Sequence, residues 1–269
     1  MSLSGFECAF LPASDPAARF ERLPELAVLD ELGRDLPSLL IDAGCRDFLR
    51  RQSIPHWPVE PVTEEWLPEL RLYYVRLGFL VSGYVNQVGQ PRAHRLPANL
   101  ARPFVRACQL LDRPPILSYD GYALYNWKRF DSGAPIVLGN IDTLQNFVHL
   151  YDEHWFILVH VEIEAHASAV LEAIESARTA LARDDAATLH RALQAMADGV
   201  WRMVATLRRI PDHMDPALYF RTFRPYIRFF DDVVYEEVST TPMHHRGETG
   251  AQSSIMPALV EFLKVRHQP

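Results

Sequence analysis

The sequence predicts an all-α protein, and three observations carry that expectation. Apolar residues recur at three- and four-residue steps over long stretches, strand-like alternation is weak, and helix start and stop signals flank the periodic segments. The first such segment covers residues 69–87, where Leu70, Tyr73, Tyr74, Leu77, Leu80, Val81 and Tyr84 form one aromatic-rich face. A second and very long one covers 155–183 and stops at Asp184 and Asp185. A third follows over 186–210, with Leu189, Leu193, Met196, Val200, Met203, Val204 and Leu207 turned inward. So short a hinge predicts an antiparallel pair. Asp215 and Pro216 supply an N-cap and a first helical residue for a helix to about residue 228. Ser253 and Ser254 are placed to cap a last helix over 255–265.

Prolines punctuate the front half at Pro55, Pro58, Pro61, Pro91, Pro97, Pro103, Pro114 and Pro115. Residues 89–115 therefore read as an irregular connection holding one short helix over 103–111. A small N-terminal helical domain over 1–100 and a larger helical domain over 101–269 are expected on either side of it. No internal repeat or low-complexity tract is evident.

Composition sets outer limits. The chain has 269 residues, 48% of them hydrophobic and 23% charged, with a formal net charge of -7. That acidic excess argues against nucleic acid or an anionic membrane as the main partner. Cys8, Cys45 and Cys108 are far apart and odd in number, which fits neither a disulfide framework nor a zinc pattern. No basic-then-apolar N-terminal signal and no run of about 18 apolar residues appears, so a cytoplasmic, reducing location is expected.

Four segments hold residues suited to chemistry. In 155–164, Phe156, His160 and Glu164 fall at four-residue steps and share one helix face. That imidazole can hydrogen-bond a ligand under the aromatic ring, pair with Glu164, or join it in holding a metal. In 114–127, Tyr119, Tyr122 and Tyr125 are three apart and form an aromatic face, either core or the wall of a polar pocket. In 212–226, Tyr219, Phe220, Phe223 and Arg224 gather aromatic rings around a guanidinium, which suits a carboxylate clamp or an ion pair on a packed helix. Last comes Arg246-Gly247-Glu248-Thr249-Gly250-Ala251-Gln252-Ser253-Ser254, where two glycines three apart and several hydroxyls let backbone lie close to a flat ligand.

In their order and spacing, these pieces resemble the indoleamine 2,3-dioxygenase family. The match is carried by Pro114-Pro115-Ile116-Leu117-Ser118-Tyr119 with Asn126-Trp127, the 156–164 helix, 213–224, Val234-Tyr235-Glu236, and Gly250-Ala251-Gln252-Ser253-Ser254. The resemblance implies an all-helical fold whose large domain holds heme b, and insertion of O2 across the indole double bond of L-tryptophan or a related indole to give N-formylkynurenine. It implies that Arg224 grips the substrate carboxylate and that Tyr219, beside Phe220, lies over the indole. Phe156, Tyr119 and Tyr122 become pocket walls, Tyr122 standing where the mammalian enzyme has a cysteine. Thr249 and Gly250 lie against the distal heme face. His160 stands where mammalian members carry a serine, and a neutral imidazole there can accept the indole N–H.

One departure matters. The family's proximal heme histidine lies well C-terminal to the Gly250–Ser254 run, and no residue here matches it: His267 comes too early, and His213, His244 and His245 have no positional claim. The expectation is that a C-terminal part is missing. The alternatives are an enzyme that rearranges a tryptophan derivative, as in pyrrolnitrin assembly, and a heme-free binding or regulatory relative. A helical di-iron enzyme built on His160 and Glu164 would need two Glu-x-x-His pairs, and Glu162 and Glu164 are each followed three on by alanine.

Overall fold

The computed structural model describes residues 8–247 and 250–266. Helices dominate it, as the periodicity predicts: α1 (Ala27–Leu39), α2 (Cys45–Arg50), α3 (Leu67–Val85), α4 (Ala98–Leu110), α5 (Tyr151–Ala182), α6 (Ala186–Leu207), α7 (Ile210–His213), α8 (Pro216–Leu218) and α9 (Ile255–Leu263). Short strands fill two corners. β1 (Arg95–Leu96) pairs in parallel with β4 (Phe230–Tyr235), which pairs antiparallel with β5 (Met243–His245). β2 (Trp127–Arg129) and β3 (Ile141–Thr143) form a separate antiparallel pair. Among the described residues no helix is long and apolar enough to cross a membrane.

The main core is built around α3, which is buried along nearly its whole length. Leu70, Leu77, Phe79 and Leu80 pack there with Leu29 and Leu36 of α1, Phe104 of α4, and Ile157, Leu158 and Val161 of α5. Each fully buried aliphatic side chain contributes about 1.5–3 kcal/mol of transfer free energy, so this helix anchors the elements on both sides of residue 100. A second cluster lies farther along α5, where Ala167, Val170 and Ile174 meet Met196 of α6 and Ile255 and Leu259 of α9. One long helix thus serves two cores.

The α5–α6 turn follows from its aspartates. Asp184 takes a left-handed backbone (φ 53) that closes α5, and the Asp185 carboxylate accepts the Thr188 N–H at 2.9 Å to cap α6. Two other elements depart from expectation. α4 begins at Ala98 rather than near Pro103, which sits inside it. Asn99 holds the early start, its side-chain amide donating to the Leu49 and Gln52 carbonyls at 2.9 and 2.8 Å. The helix expected from Pro216 to about residue 228 keeps α-geometry for three residues and then winds as a π turn over Tyr219–Phe223. Pro225 cannot continue it.

α6 lies so close to α5 that a Cβ on Gly199 would come within 2.7 Å of Val170 Cγ2. Gly199→Val should therefore cost about 1–3 kcal/mol by overpacking. A lowered denaturant midpoint at unchanged slope is expected; an unchanged midpoint would mean that the two helices can part at no cost.

Candidate functional site

The site forms where α5 passes between its two cores. Phe156, His160 and Glu164 stack along one face of α5, as their spacing predicts. Phe156 and His160 are half-buried with ring centroids 4.5 Å apart, and Glu164 is buried. In front of them opens a cavity of about 310 Å³. Tyr119, His160, Glu164, Gly250 and Ser253 line its polar side. Its apolar walls come from Ile163 of α5, from Val200, Met203, Val204 and Leu207 of α6, and from Ile255, Met256 and Leu259 of α9.

His160 is held in one state. Its Nδ1 lies 2.7 Å from the Phe156 carbonyl oxygen; a carbonyl only accepts, so Nδ1 carries the proton and Nε2 keeps a free lone pair. Burial pushes the imidazole below its ordinary pKa, which favours the neutral ring at neutral pH. The space before Nε2 exists because residue 250 is glycine: a Cβ there would lie 3.4 Å from Nε2.

Tyr119 ties three segments together. Its hydroxyl donates to Glu164 Oε1 at 2.9 Å and its backbone N–H to Gln252 Oε1 at 2.8 Å. It sits at the start of a π turn over Asp120–Leu124, closed by a bond from the Tyr125 N–H to the Asp120 carbonyl. Gly121 permits that turn, since a Cβ would come within 2.7 Å of the Tyr74 ring.

The second aromatic group adjoins the first through Phe156. Tyr219 and Phe223 lie 5.1 and 5.9 Å from its ring, and 5.2 Å from each other. Phe223, grouped from the sequence with Tyr219, Phe220 and Arg224, is fully buried and completes this wall. Phe220, expected beside the indole, is 66% exposed and touches Tyr219 only edge-on. Arg224 is half-buried, donates Nη1 to the Ile227 carbonyl at 2.9 Å, and among the described residues pairs with no carboxylate. Tyr122 lies behind Phe156, fully buried, with its hydroxyl 3.2 Å from Glu153 Oε1. Thr249 lies outside the described residues.

Several participants carry no sequence signal. Leu193 and Leu207, expected inward, are 41% and 48% exposed, while Val200 and Met203 pack against the second core and, with Val204, also face the cavity. Periodicity marks an apolar face but not what covers it. Ser254 holds the N-cap position of α9 without a side-chain cap bond, and the Ser253 hydroxyl before it accepts the Ile255 N–H at 3.3 Å. Of the histidines weighed as axial ligands, His213 packs edge-on against Trp155, His244 reaches Asp232 at 3.3 Å, His245 meets Tyr235, and His267 lies outside the described residues. Among the described residues no three His, Cys, Asp or Glu side chains converge as metal ligands, so His160 and Glu164 gain no third partner of that kind.

Fold and cavity define a class, a helical protein that walls an apolar space with one imidazole and one carboxyl. The chain belongs to the indoleamine 2,3-dioxygenase family, whose sequence pattern matches residues 5–269. It is 33% identical over 207 residues to indoleamine 2,3-dioxygenase 2 of Homo sapiens, covering 74% of this chain and 51% of that protein. It is 31% identical over 245 residues to indoleamine 2,3-dioxygenase 1 of Mus musculus, covering 88% of this chain and 59% of that one. A myoglobin of Haliotis diversicolor is 24% identical over 257 residues. The chain thus spans between half and two thirds of the length of these relatives.

Glu153 sets the pH behaviour of the scaffold behind this site. It is wholly buried at the first turn of α5, where Oε2 accepts the Phe147 and Val148 N–H groups at 2.8 and 2.9 Å. Burial outweighs these bonds and pushes its pKa up to about 8. A carboxyl whose folded pKa is raised contributes stability that is complete below the ordinary value and lost as pH rises through the folded one. Denaturant midpoints should therefore fall between about pH 4 and pH 8, and Glu153→Gln, which keeps the shape, should flatten that slope. An identical slope in the variant would contradict the assignment.

Proposed function

We propose that this cavity is the distal chamber of a heme-dependent dioxygenase that acts on L-tryptophan or a related indole and gives the N-formylkynurenine-type product. The observation that carries the reading is His160 Nε2, a lone pair held open by Gly250 over an apolar cavity, in a member of this family. The residues fit heme b in kind. A flat apolar macrocycle needs aliphatic walls, which α6 and α9 provide, and close backbone, which Gly250 provides. None of the described residues is assigned as its axial ligand. When bound, the heme supplies dioxygen binding and activation.

The protein's own part is positioning and exclusion of water. His160 Nε2 accepts the indole N–H and so fixes the ring's orientation. Phe156, Tyr219 and Phe223 cover the indole, Tyr119 and Tyr122 close the wall behind it, and Phe220 shields the outer edge. Arg224 turns from the Ile227 carbonyl to the substrate carboxylate, a bidentate partner that a main-chain carbonyl cannot match. Gly250 completes the face toward the heme, and the resemblance gives Thr249, outside the described residues, the same role.

Hemin titration followed at the Soret band tests the reading. The reconstituted protein should show a band that shifts on reduction with dithionite and again on adding tryptophan. Arg224→Ala should keep the first shift and lose the second, because removing one partner of a buried ion pair costs about 2–5 kcal/mol. A tryptophan titration unchanged in Arg224→Ala would contradict the clamp, and absence of any hemin-dependent band would contradict the cofactor. The mass of the product separates dioxygenation, which adds two oxygen atoms, from rearrangement of a tryptophan derivative.

A further inference from the structure

Three successive residues at the entry to the first π turn divide between the two sides of the chain. Tyr119 turns to the cavity, through its hydroxyl to Glu164 and its N–H to Gln252. Ser118 and Asp120 turn the other way, toward α3 and the end of α4. The Asp120 carboxylate gathers donors there: Oδ2 accepts Arg113 Nε at 2.6 Å, and Oδ1 accepts the Gly121 N–H at 2.9 Å and the Ser118 hydroxyl. Tyr74 of α3, fully buried, donates its hydroxyl to the Ile116 carbonyl at 3.0 Å and accepts the Ser118 N–H at 3.2 Å. Arg113 is itself fixed, its N–H reaching the Cys108 carbonyl of α4 at 2.8 Å.

These bonds reach the π turn from helices that supply no wall of the cavity. A π turn is a marginal geometry that tertiary contacts must hold, and charge-assisted bonds are about twice as strong as neutral ones. The Arg113–Asp120 pair is the one ion pair in this set, with the carboxylate side chain 14% exposed. We propose that Asp120 is a positioning residue: gripped by Arg113, it braces the π turn from behind and so sets Tyr119 in the cavity wall. The brace is a property of the protein alone. Only its effect on an indole rests on the reading of this cavity as the heme and substrate site.

Amide hydrogen exchange on the heme-free chain tests the brace. The reporters are the Tyr119 N–H, held by Gln252, and the Tyr125 N–H, which closes the turn at 2.9 Å. Their protection is read against the buried amides of α3, so that a general loss of stability cancels. Asp120→Asn keeps the shape and one acceptor but removes the charge; relative protection at both reporters should fall roughly tenfold. Arg113→Gln, at a partly exposed guanidinium, should do the same and decides the matter if Asp120→Asn does not fold. Arg113→Lys, which keeps the charge, should restore most of it. Asp15→Asn is the control, because it breaks a comparable pair with Arg129 at 2.7 Å that lines no part of the cavity. Reporter protection in Arg113→Gln no lower than in Asp15→Asn would overturn the proposal.

Titration of the hemin-reconstituted chain with tryptophan adds the functional arm. Arg113→Gln should leave the hemin-binding curve unchanged and require roughly tenfold more tryptophan for the same Soret shift. An unchanged tryptophan midpoint, in a native chain that shows the shift, would overturn the positioning role. A native chain that binds no hemin defeats the heme reading instead, and the exchange pattern still decides the brace.

Discussion

The structure depends on one constraint, that α5 must bury two different faces along its 32 residues. Near its start, Ile157, Leu158 and Val161 belong to the core that surrounds α3; farther on, Val170 and Ile174 belong to the cluster with α6 and α9. At 1.5 Å per residue the helix is about 48 Å long, so both cores hang on a single rigid rod. The stretch between them cannot be wholly covered by either. Phe156, His160 and Glu164 share one face of α5 that runs beside the first core toward the second, and the cavity opens before that face against the α6 and α9 side chains of the second cluster.

Rigidity at the site follows from polar ties rather than from packing alone. Glu153 pins the chain entering α5 through two backbone N–H groups, and Tyr119 and Glu164 pin the π turn and the Gly250–Ser253 segment to its middle. Both carboxyls are buried in surroundings that disfavour their charge. Hydrogen bonds offset part of that cost: Glu153 receives two backbone N–H groups at the start of α5, and Glu164, mid-helix, receives the Tyr119 hydroxyl. The two π turns, Asp120–Leu124 and Tyr219–Phe223, border the same region. A π turn inserts one extra residue per turn and redirects the side chains after it; here it brings Phe223 onto Phe156 and leaves Phe220 outside.

The long helices were legible because their signals are local. The period of α3, α5 and α6, the Asp184-Asp185 stop and the Asp215 cap all depend on residues within one or two turns. The early start of α4 was not legible, since Asn99 reaches Leu49 and Gln52, some fifty residues away. Nor were the π turns, which share the hydrophobic spacing of an α-helix and differ only in the tertiary contacts that favour them. At the site, the shared face of Phe156, His160 and Glu164 was visible as a spacing of four. The contribution of Val200, Met203 and Val204 was hidden, because an apolar helix face looks the same whether it meets a core or a cavity. Glu164 was visible as a neighbour of His160, whereas its bond to Tyr119 joins segments 45 residues apart.

The central claim is that the cavity before His160 receives the flat cofactor. A crystal structure of the chain grown with hemin, phased to locate iron by anomalous scattering, tests it most directly. The account predicts an iron peak between the His160–Glu164 face of α5 and the apolar sides of α6 and α9, with Gly250 backbone against the macrocycle. Iron at another place on the molecule, with this cavity filled only by solvent, would contradict it.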